Sequence, residues 1–253
     1  MNINEAYNND CLFFMRQCKD KIFDLAIVDP PYGINAPKMN MGGYGKYEST
    51  AVKCRKGRLN QGAGKLKDRA LNTMDCSWDQ NPPTMEYFKE LFRVSKNQLI
   101  FGGNYFDLPP TRCFVCWDKA QPWTNFSQVE YIWTSFDYPA KIIRISSRGG
   151  NNKEQKIHPT QKPVKLYEFL LKTFAKPGDY IFDSHMGSGS SRIAAYNLGF
   201  DYCGCEINSD YFDAACERFK TQCKKKVKQY ERTIPTILRL HEPHPQGRVR
   251  GQA

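Results

Sequence analysis

Residues 22–32 read Ile-Phe-Asp-Leu-Ala-Ile-Val-Asp-Pro-Pro-Tyr. The apolar run predicts a buried β-strand that ends at Val28, and Asp29-Pro30-Pro31-Tyr32 follows it directly. In an open α/β sheet, ligands bind beyond the carboxyl ends of the strands, so this tetrapeptide would bring a carboxylate, carbonyl groups and a ring to a binding edge. These groups suit a planar amino group whose nitrogen must be activated. The alternative is an ordinary strand-to-turn junction, because Asp and Pro are common turn residues.

Strands and helices alternate along the rest of the chain, which predicts a doubly wound, mostly parallel α/β sheet. Pro163 would open a helix with an apolar inner face made of Val164, Leu166, Tyr167, Leu170, Leu171 and Phe174. Further helices are expected over about 190–198 and 211–219. We expect one domain over residues 1–223, an insertion rich in Gly, Lys and Tyr at 33–75, and a basic tail at 224–253.

A second candidate site joins a predicted strand to a helix through the glycine-rich turn Asp183-Ser-His-Met-Gly-Ser-Gly-Ser190. Glycines let the backbone approach a ligand closely, and a helix N-terminus offers free N–H groups. Glu206 ends the next strand about twenty residues on, where an acid in such a βαβ unit binds ribose hydroxyls. The turn lacks the signatures of triphosphate and dinucleotide sites. An adenosine cofactor without a pyrophosphate, such as S-adenosylmethionine, therefore fits better.

The net charge of +11 is concentrated in two segments. Residues 38–69 have a balance of +7 and residues 218–253 a balance of +8, which indicates a polyanionic partner; a solubilising loop and tail are the alternative. No apolar run reaches the roughly 20 residues of a membrane helix, and we expect a cytoplasmic protein. The ten cysteines are scattered, with a single C-x-x-C at Cys113 and Cys116, so we expect free thiols and no metal site.

The chain resembles the amino-methylating DNA methyltransferases of the β arrangement, and it looks closest to the small solitary enzymes of phages and prophages. The resemblance covers about residues 4–220, and the His-Pro-Thr-Gln-Lys-Pro segment is its most specific part. The segments that carry it are Asp29–Tyr32, Val94–Gln98, Phe101–Tyr105, Trp117–Lys119, His158–Pro163, Asp183–Ser190 and Gly204–Glu206. It implies a Rossmann-like sheet of the S-adenosylmethionine-dependent type, circularly permuted so that the catalytic motif precedes the cofactor motif.

The same resemblance implies roles for individual residues. Asp29, Pro30, Pro31 and Tyr32 would be the catalytic motif, with Asp29 also near the cofactor. The cofactor site would further include Asp10 at the adenine, Lys162 near the methionine carboxylate, and His158, Thr160, Asp183, Gly187, Ser188, Gly189 and Glu206. No metal is implied. The partner would be double-stranded DNA, and whether the enzyme forms a homodimer stays open.

Two departures from the family pattern bear on function. Asp183-Ser184-His185 stands where the family more often has Asp-Pro-Phe, and His185 either lies near the cofactor or caps the turn, the simpler interpretation. The target-recognition segment usual before His158 is nearly absent. We therefore expect the basic insertion to contact DNA and help to select its sequence, through Lys46, Lys53, Arg55, Lys56 and Arg58.

The reaction expected from this resemblance is site-specific methylation of the exocyclic N6 of a flipped adenine. Cytosine N4 would need the same hydrogen bonds, and Asp rather than Ser at position 29 favours adenine. An RNA or protein amide target is less consistent with the remaining segments. A catalytically inactive DNA-binding relic is the alternative of a different class, which the intact residues Asp29–Tyr32 and Glu206 disfavour.

Overall fold

The computed structural model describes residues 4–36, 78–121, 127–147 and 156–231, and for 224–231 the backbone alone. Within these ranges, eight strands form one sheet in the order β1-β8-β7-β2-β3-β5-β4-β6. The strands are β1 (Asn4–Asn8), β2 (Phe23–Val28), β3 (Ser95–Phe101), β4 (Phe114–Asp118), β5 (Val129–Thr134), β6 (Lys141–Arg144), β7 (Tyr180–Asp183) and β8 (Asp201–Glu206). The helices are α1 (Cys11–Gln17), α2 (Met85–Val94), α3 (Val164–Phe174), α4 (Ser190–Leu198) and α5 (Ser209–Glu231).

The sheet is mostly parallel, as the sequence predicted. Strands β1, β8, β7, β2 and β3 run parallel to one another. Strand β5 pairs antiparallel with both β3 and β4, and β6 is parallel to β4. The first residues of β5 therefore lie at the same edge of the sheet as the last residues of the parallel strands.

Helices cover both faces of the sheet, so the central strands are buried on two sides. Strand β2 shows this directly, because Leu25 and Ile27 join one core cluster whereas Ala26 and Val28 join the other. The first cluster includes all six inner residues that the sequence predicted for α3. The second lies beneath α1 and α2. The doubly wound architecture is confirmed.

The expected end of the last helix at residue 219 is wrong, because α5 continues to Glu231. Residues 209–231 contain neither Gly nor Pro, and Lys, Gln and Glu have high helix propensity. The described residues include no helix with the length and apolar character needed to cross a membrane. Most of the insertion and residues 232–253 lie outside the described ranges, as do Lys46, Lys53, Arg55, Lys56 and Arg58.

Candidate active site

A cavity of about 370 Å³ opens at the edge of the sheet where β1, β2, β7 and β8 end. Both candidate motifs reach it, because parallel neighbouring strands deliver their carboxyl ends to one edge. Most of the predicted site residues line it: Asp10, Asp29, Pro30, Pro31, Tyr32, His158, Thr160, Lys162, Gly187, Ser188 and Glu206. The structure thus brings together, around one cavity, residues that are far apart in the sequence.

Glu206 lies at the end of β8, lines the cavity, and accepts hydrogen bonds from two backbone segments. One carboxylate oxygen accepts the N–H of Gly187 at 2.8 Å and the other accepts the N–H of Asn208 at 2.9 Å. Burial raises the pKa of Glu206, and these backbone hydrogen bonds act against the rise. A carboxylate has about four lone-pair positions, so each oxygen retains capacity for a ligand hydroxyl.

Asp183 and Gly189 support the glycine-rich turn from behind and are not among the cavity-lining residues. The Asp183 carboxylate accepts the backbone N–H of His185 at 3.0 Å and the hydroxyl of Ser191 at 2.5 Å. Burial raises its pKa to about 7. Gly189 has φ +72°, a conformation that favours glycine, directly before α4 begins. A direct role of these two residues at a cofactor stays a prediction.

His185 does more than cap the turn, the simpler interpretation of the sequence. Its ring lines the cavity beside Asp10 and Glu206. The Nδ1 atom lies 2.8 Å from the hydroxyl of Ser184, and burial lowers the pKa of His185 to about 4, so the ring is neutral at physiological pH. Asp10 also lines the cavity, and its carboxylate caps α1 by accepting the N–H of Phe13 at 2.7 Å.

His158 lines the cavity together with Trp78 and Tyr211. Its ring centroid lies 5.3 Å from that of Trp78 and 4.4 Å from that of Tyr211. Burial, followed by the nearby charge of Lys162, lowers the pKa of His158 to about 3. A neutral imidazole between two rings makes this wall largely apolar.

The tetrapeptide Asp29–Tyr32, the predicted catalytic motif, belongs to a network of charged groups that is largely shielded from water. The Lys162 ammonium binds Asp29 at 2.5 Å and Glu130 at 2.9 Å, and Lys119 binds the other oxygen of Glu130 at 2.8 Å. The Tyr32 hydroxyl lies 2.7 Å from both Asp29 and Glu130. Lys162 was expected near the methionine carboxylate; here it is held among protein carboxylates, so that role stays a prediction.

The ionisation of this network depends on two things: its burial, and its balance of two lysines against two carboxylates. Burial opposes ionisation of Glu130, but Lys162 and Lys119 outweigh it and hold its pKa at about 2. Burial raises the pKa of Asp29, Lys162 counteracts the rise, and the charge of Glu130 adds to it. The pKa of Lys162 is raised, because the two carboxylates outweigh the effect of its burial.

The ring of Tyr32 is fixed by close packing. Gly102 has φ +65°, and a Cβ atom there would lie 2.4 Å from the Tyr32 ring, so only glycine fits. Tyr105 stacks on Tyr32 with a centroid distance of 4.9 Å and an interplanar angle of 13°. The Phe-Gly-Gly-Asn-Tyr segment at 101–105 therefore shapes the surroundings of the catalytic motif.

Asp79 is a site residue that the sequence analysis missed. Its carboxylate accepts the backbone N–H groups of Tyr32, Gly33 and Ala36, at 2.6, 2.9 and 2.7 Å. Only 2% of Asp79 is exposed, and it lines the cavity with Trp78. No sequence signal marked it, because it follows the patternless insertion. Glu130 was missed as well, because its strand shows no motif.

Comparison with known proteins shows which proteins the chain is similar to. The sequence profile of the DNA methylase family, covering the N6 and N4 types, matches residues 109–217. The Type II methyltransferase M.BglII of Bacillus subtilis is 22% identical over 247 residues, covering 85% of this chain and 68% of that protein. The Type II methyltransferase M.HpaI of Haemophilus parainfluenzae is 37% identical over 84 residues, covering 33% of this chain but 27% of that protein. The chain is thus similar to amino DNA methyltransferases over the segments that these comparisons cover.

Two solved structures share the fold of this chain. PvuII DNA methyltransferase, which is cytosine-N4-specific, aligns with a TM-score of 0.56 and 15% identity over 92% of each chain. M1.HpyAVI, solved as a complex with S-adenosylmethionine, aligns with a TM-score of 0.50 and 19% identity. That alignment covers 85% of this chain and 98% of M1.HpyAVI. The Rossmann-like methyltransferase fold expected from the sequence is confirmed.

Proposed function

We propose that this chain is a DNA methyltransferase that transfers a methyl group from S-adenosylmethionine to the exocyclic N6 of adenine in double-stranded DNA. One observation carries the proposal: Asp29–Tyr32 and Glu206, with its glycine-rich turn, line the same cavity. An acceptor set for an amino group thus lies beside an acceptor set for ribose hydroxyls. The match of residues 109–217 to the DNA methylase family supports the coarser assignment, a DNA amino-methyltransferase.

The residues present fit S-adenosylmethionine. Glu206 has lone pairs left for ribose hydroxyls beyond its two backbone bonds, and Asp10, Asn208 and the neutral ring of His185 surround it in the cavity wall. The turn at Gly187 and Ser188 leaves room for the methionine portion, with no pyrophosphate-binding signature. When bound, this cofactor supplies a sulfonium methyl group.

The exocyclic amino nitrogen of adenine is a poor nucleophile, so the protein has to activate it. The lone pair of an adenine amino group is delocalised into the ring. The Asp29 carboxylate and the Pro30 carbonyl would each accept one N–H bond, which draws the nitrogen toward tetrahedral geometry. The rate gain comes from orientation and from charge stabilisation at a buried carboxylate. An amino group inside a duplex has to be flipped out, and the Tyr32 ring offers it a stacking surface.

The assignment to adenine rests on Asp at position 29. The structurally similar PvuII enzyme is cytosine-N4-specific, and cytosine N4 requires the same pair of hydrogen bonds. The methylated base that the reaction forms therefore distinguishes adenine from cytosine as the target. N6-methyladenine is the product that we expect.

Nucleoside mass spectrometry tests this function. DNA from cells that lack their own methylation is incubated with the purified chain and S-adenosylmethionine, then digested and analysed. N6-methyladenine supports the proposal, whereas N4-methylcytosine corrects the target base. Cofactor binding without any methylated nucleoside would instead favour an inactive DNA-binding protein.

A further inference from the structure

Asp29 and Glu130 share their hydrogen-bond partners. The Lys162 ammonium donates to Oδ2 of Asp29 and to Oε1 of Glu130. The Tyr32 hydroxyl lies 2.7 Å from Oδ1 of Asp29 and 2.7 Å from Oε1 of Glu130. Since a hydroxyl has one proton, it donates to one acceptor at a time. Lys162 and Tyr32 therefore each have a second acceptor within reach.

This duplication matters because each oxygen of Asp29 already accepts one hydrogen bond, and these two bonds hold the carboxylate in one orientation. Each oxygen keeps a free lone pair, but if the carboxylate turns toward the amino group of a base, the bond from Lys162 or Tyr32 is lost. Lys162 is buried and Tyr32 is partly buried, and a donor shielded from water carries a desolvation cost when it loses its acceptor. Release of Asp29 is favourable only if these donors keep another acceptor, and Glu130 offers one to both.

We propose that Glu130 is a positioning residue that retains Lys162 and Tyr32 while the Asp29 carboxylate turns to the amino group of the target base. The inference rests on the function proposed above and deepens it. Glu130 does not itself touch the reacting atoms. It acts through Lys162 and Tyr32, which would otherwise stay hydrogen-bonded to the Asp29 carboxylate.

The fold holds Glu130 firmly in this position. It lies on β5, opposite Trp117 of β4 in a strand that is paired on both sides. Its Oε2 atom is bound to Lys119 at 2.8 Å, which leaves Oε1 for Lys162 and Tyr32. The side chains of Glu130 and Lys119 are each 11% exposed, so water competes little for these contacts.

Two variants with opposite charge effects test the inference. Glu130→Gln keeps the shape of the side chain but removes its charge, so Lys162 and Tyr32 stay on Asp29. We expect kcat to fall by about tenfold or more, as for a lost charged hydrogen bond. The affinity for S-adenosylmethionine should stay within about threefold. Lys119→Met removes the opposite charge from the same network.

The pH profile separates this role from general damage. Besides burial, the pKa of Asp29 responds to Lys162, Glu130 and Tyr32. Burial raises the pKa of Tyr87, Tyr167 and Asp183, the charge of Asp29 adds to this rise, and His158 is neutral beside Lys162. Loss of the Glu130 charge should lower the pKa of Asp29 and move the acid limb of kcat to lower pH. Loss of the Lys119 charge should move it to higher pH. Structural damage would not give displacements of opposite sign.

Carboxyl ¹³C NMR titration of Asp29 in the ligand-free protein supplies a readout without catalysis. Opposite shifts in the two variants, with reduced kcat in Glu130→Gln, support the inference. Wild-type kcat in Glu130→Gln, or acid limbs displaced in the same direction, would overturn it. If Glu130→Gln does not fold, the pKa of Asp29 in Lys119→Met decides. A higher pKa than in the wild type supports the inference, and a lower one overturns it. If the wild-type chain methylates no DNA, the proposed function fails, and an unchanged Asp29 titration separately overturns the role of Glu130.

Discussion

The carboxylate of Asp79 accepts the backbone N–H of Tyr32 at 2.6 Å, across a sequence separation of 47 residues. The same carboxylate binds the N–H groups of Gly33 and Ala36, and the N–H of Asn35 bonds to the carbonyl of Asp79. The loop that follows the catalytic motif is thus fastened to the residues just beyond the insertion. Because a buried carboxylate with three N–H donors is hard to replace, this contact fixes the backbone of Tyr32.

Asp79→Ala should destabilise the protein by about 1–3 kcal/mol and slow methyl transfer, since buried N–H groups lose their acceptor. Asp79→Asn retains one carbonyl oxygen and should fall between this variant and the wild type. Urea unfolding and initial methylation rates measure both effects. Asp137→Ala is the matched control: this exposed aspartate pairs with Arg112 at the surface, and its loss should cost about 1 kcal/mol or less. Equal effects of Asp79→Ala and Asp137→Ala would contradict the account.

Glu206→Ala should weaken binding of S-adenosylmethionine by about 1–3 kcal/mol, because hydrogen bonds between a charged group and ribose hydroxyls are lost. Isothermal titration calorimetry gives the affinity, and circular dichroism confirms that the variant is folded. Glu217→Ala, at an exposed position of α5, serves as the control. Unchanged affinity for S-adenosylmethionine in a folded Glu206→Ala protein would contradict the placement of the cofactor's ribose at Glu206.

Asp183 should make stability depend on pH. Its pKa is raised by burial to about 7, so between the ordinary carboxyl value and about pH 7 the folded state binds the proton that the unfolded state releases. This contribution to stability falls as pH rises through that window. His158 and His185, with lowered pKa values, act in the opposite direction. The wild type should therefore lose stability relative to Asp183→Asn between about pH 4 and pH 7. Urea unfolding at several pH values measures this difference, and a constant difference would contradict it.

The basic insertion should bind DNA phosphates. Replacing Lys53, Arg55, Lys56 and Arg58 together by Ala should reduce DNA affinity and flatten its dependence on salt, since fewer counterions are released. Fluorescence anisotropy at several salt concentrations measures both. A control with the same loss of charge replaces four exposed lysines outside both basic segments: Lys19, Lys89, Lys172 and Lys176. If the two variants have the same salt slope, net charge rather than the insertion accounts for DNA binding.

Much of the fold follows from local sequence patterns. The strand Phe23–Val28 ends at the predicted residue, the helix Ser190–Leu198 has the predicted bounds, and all six predicted inner residues of α3 are buried. Each of these elements has a clear apolar period or a glycine or proline at its end. The edge of the sheet at which the motifs meet also follows, because parallel strands end on one side.

Glu130 and Asp79 could not be found in this way. Glu130 reaches the catalytic edge only because β5 runs antiparallel, so that the start of this strand lies where the others end. The sequence of the strand does not reveal that direction. Asp79 depends on a loop closure over more than forty residues without periodicity. Both residues act through contacts that only the tertiary structure creates.

Single-turnover methyl transfer by Asp29→Ala, at saturating S-adenosylmethionine, tests the central claim most directly. The variant keeps the residues around Glu206, so cofactor binding should stay largely intact by calorimetry, and incomplete loading cannot explain a loss of rate. We expect transfer of tritiated methyl groups to DNA to fall by roughly 10²–10³-fold or more, as when a key acceptor or donor in a buried active site is removed. Transfer within about tenfold of the wild-type rate would contradict the assignment of Asp29 to the amino group of the target base.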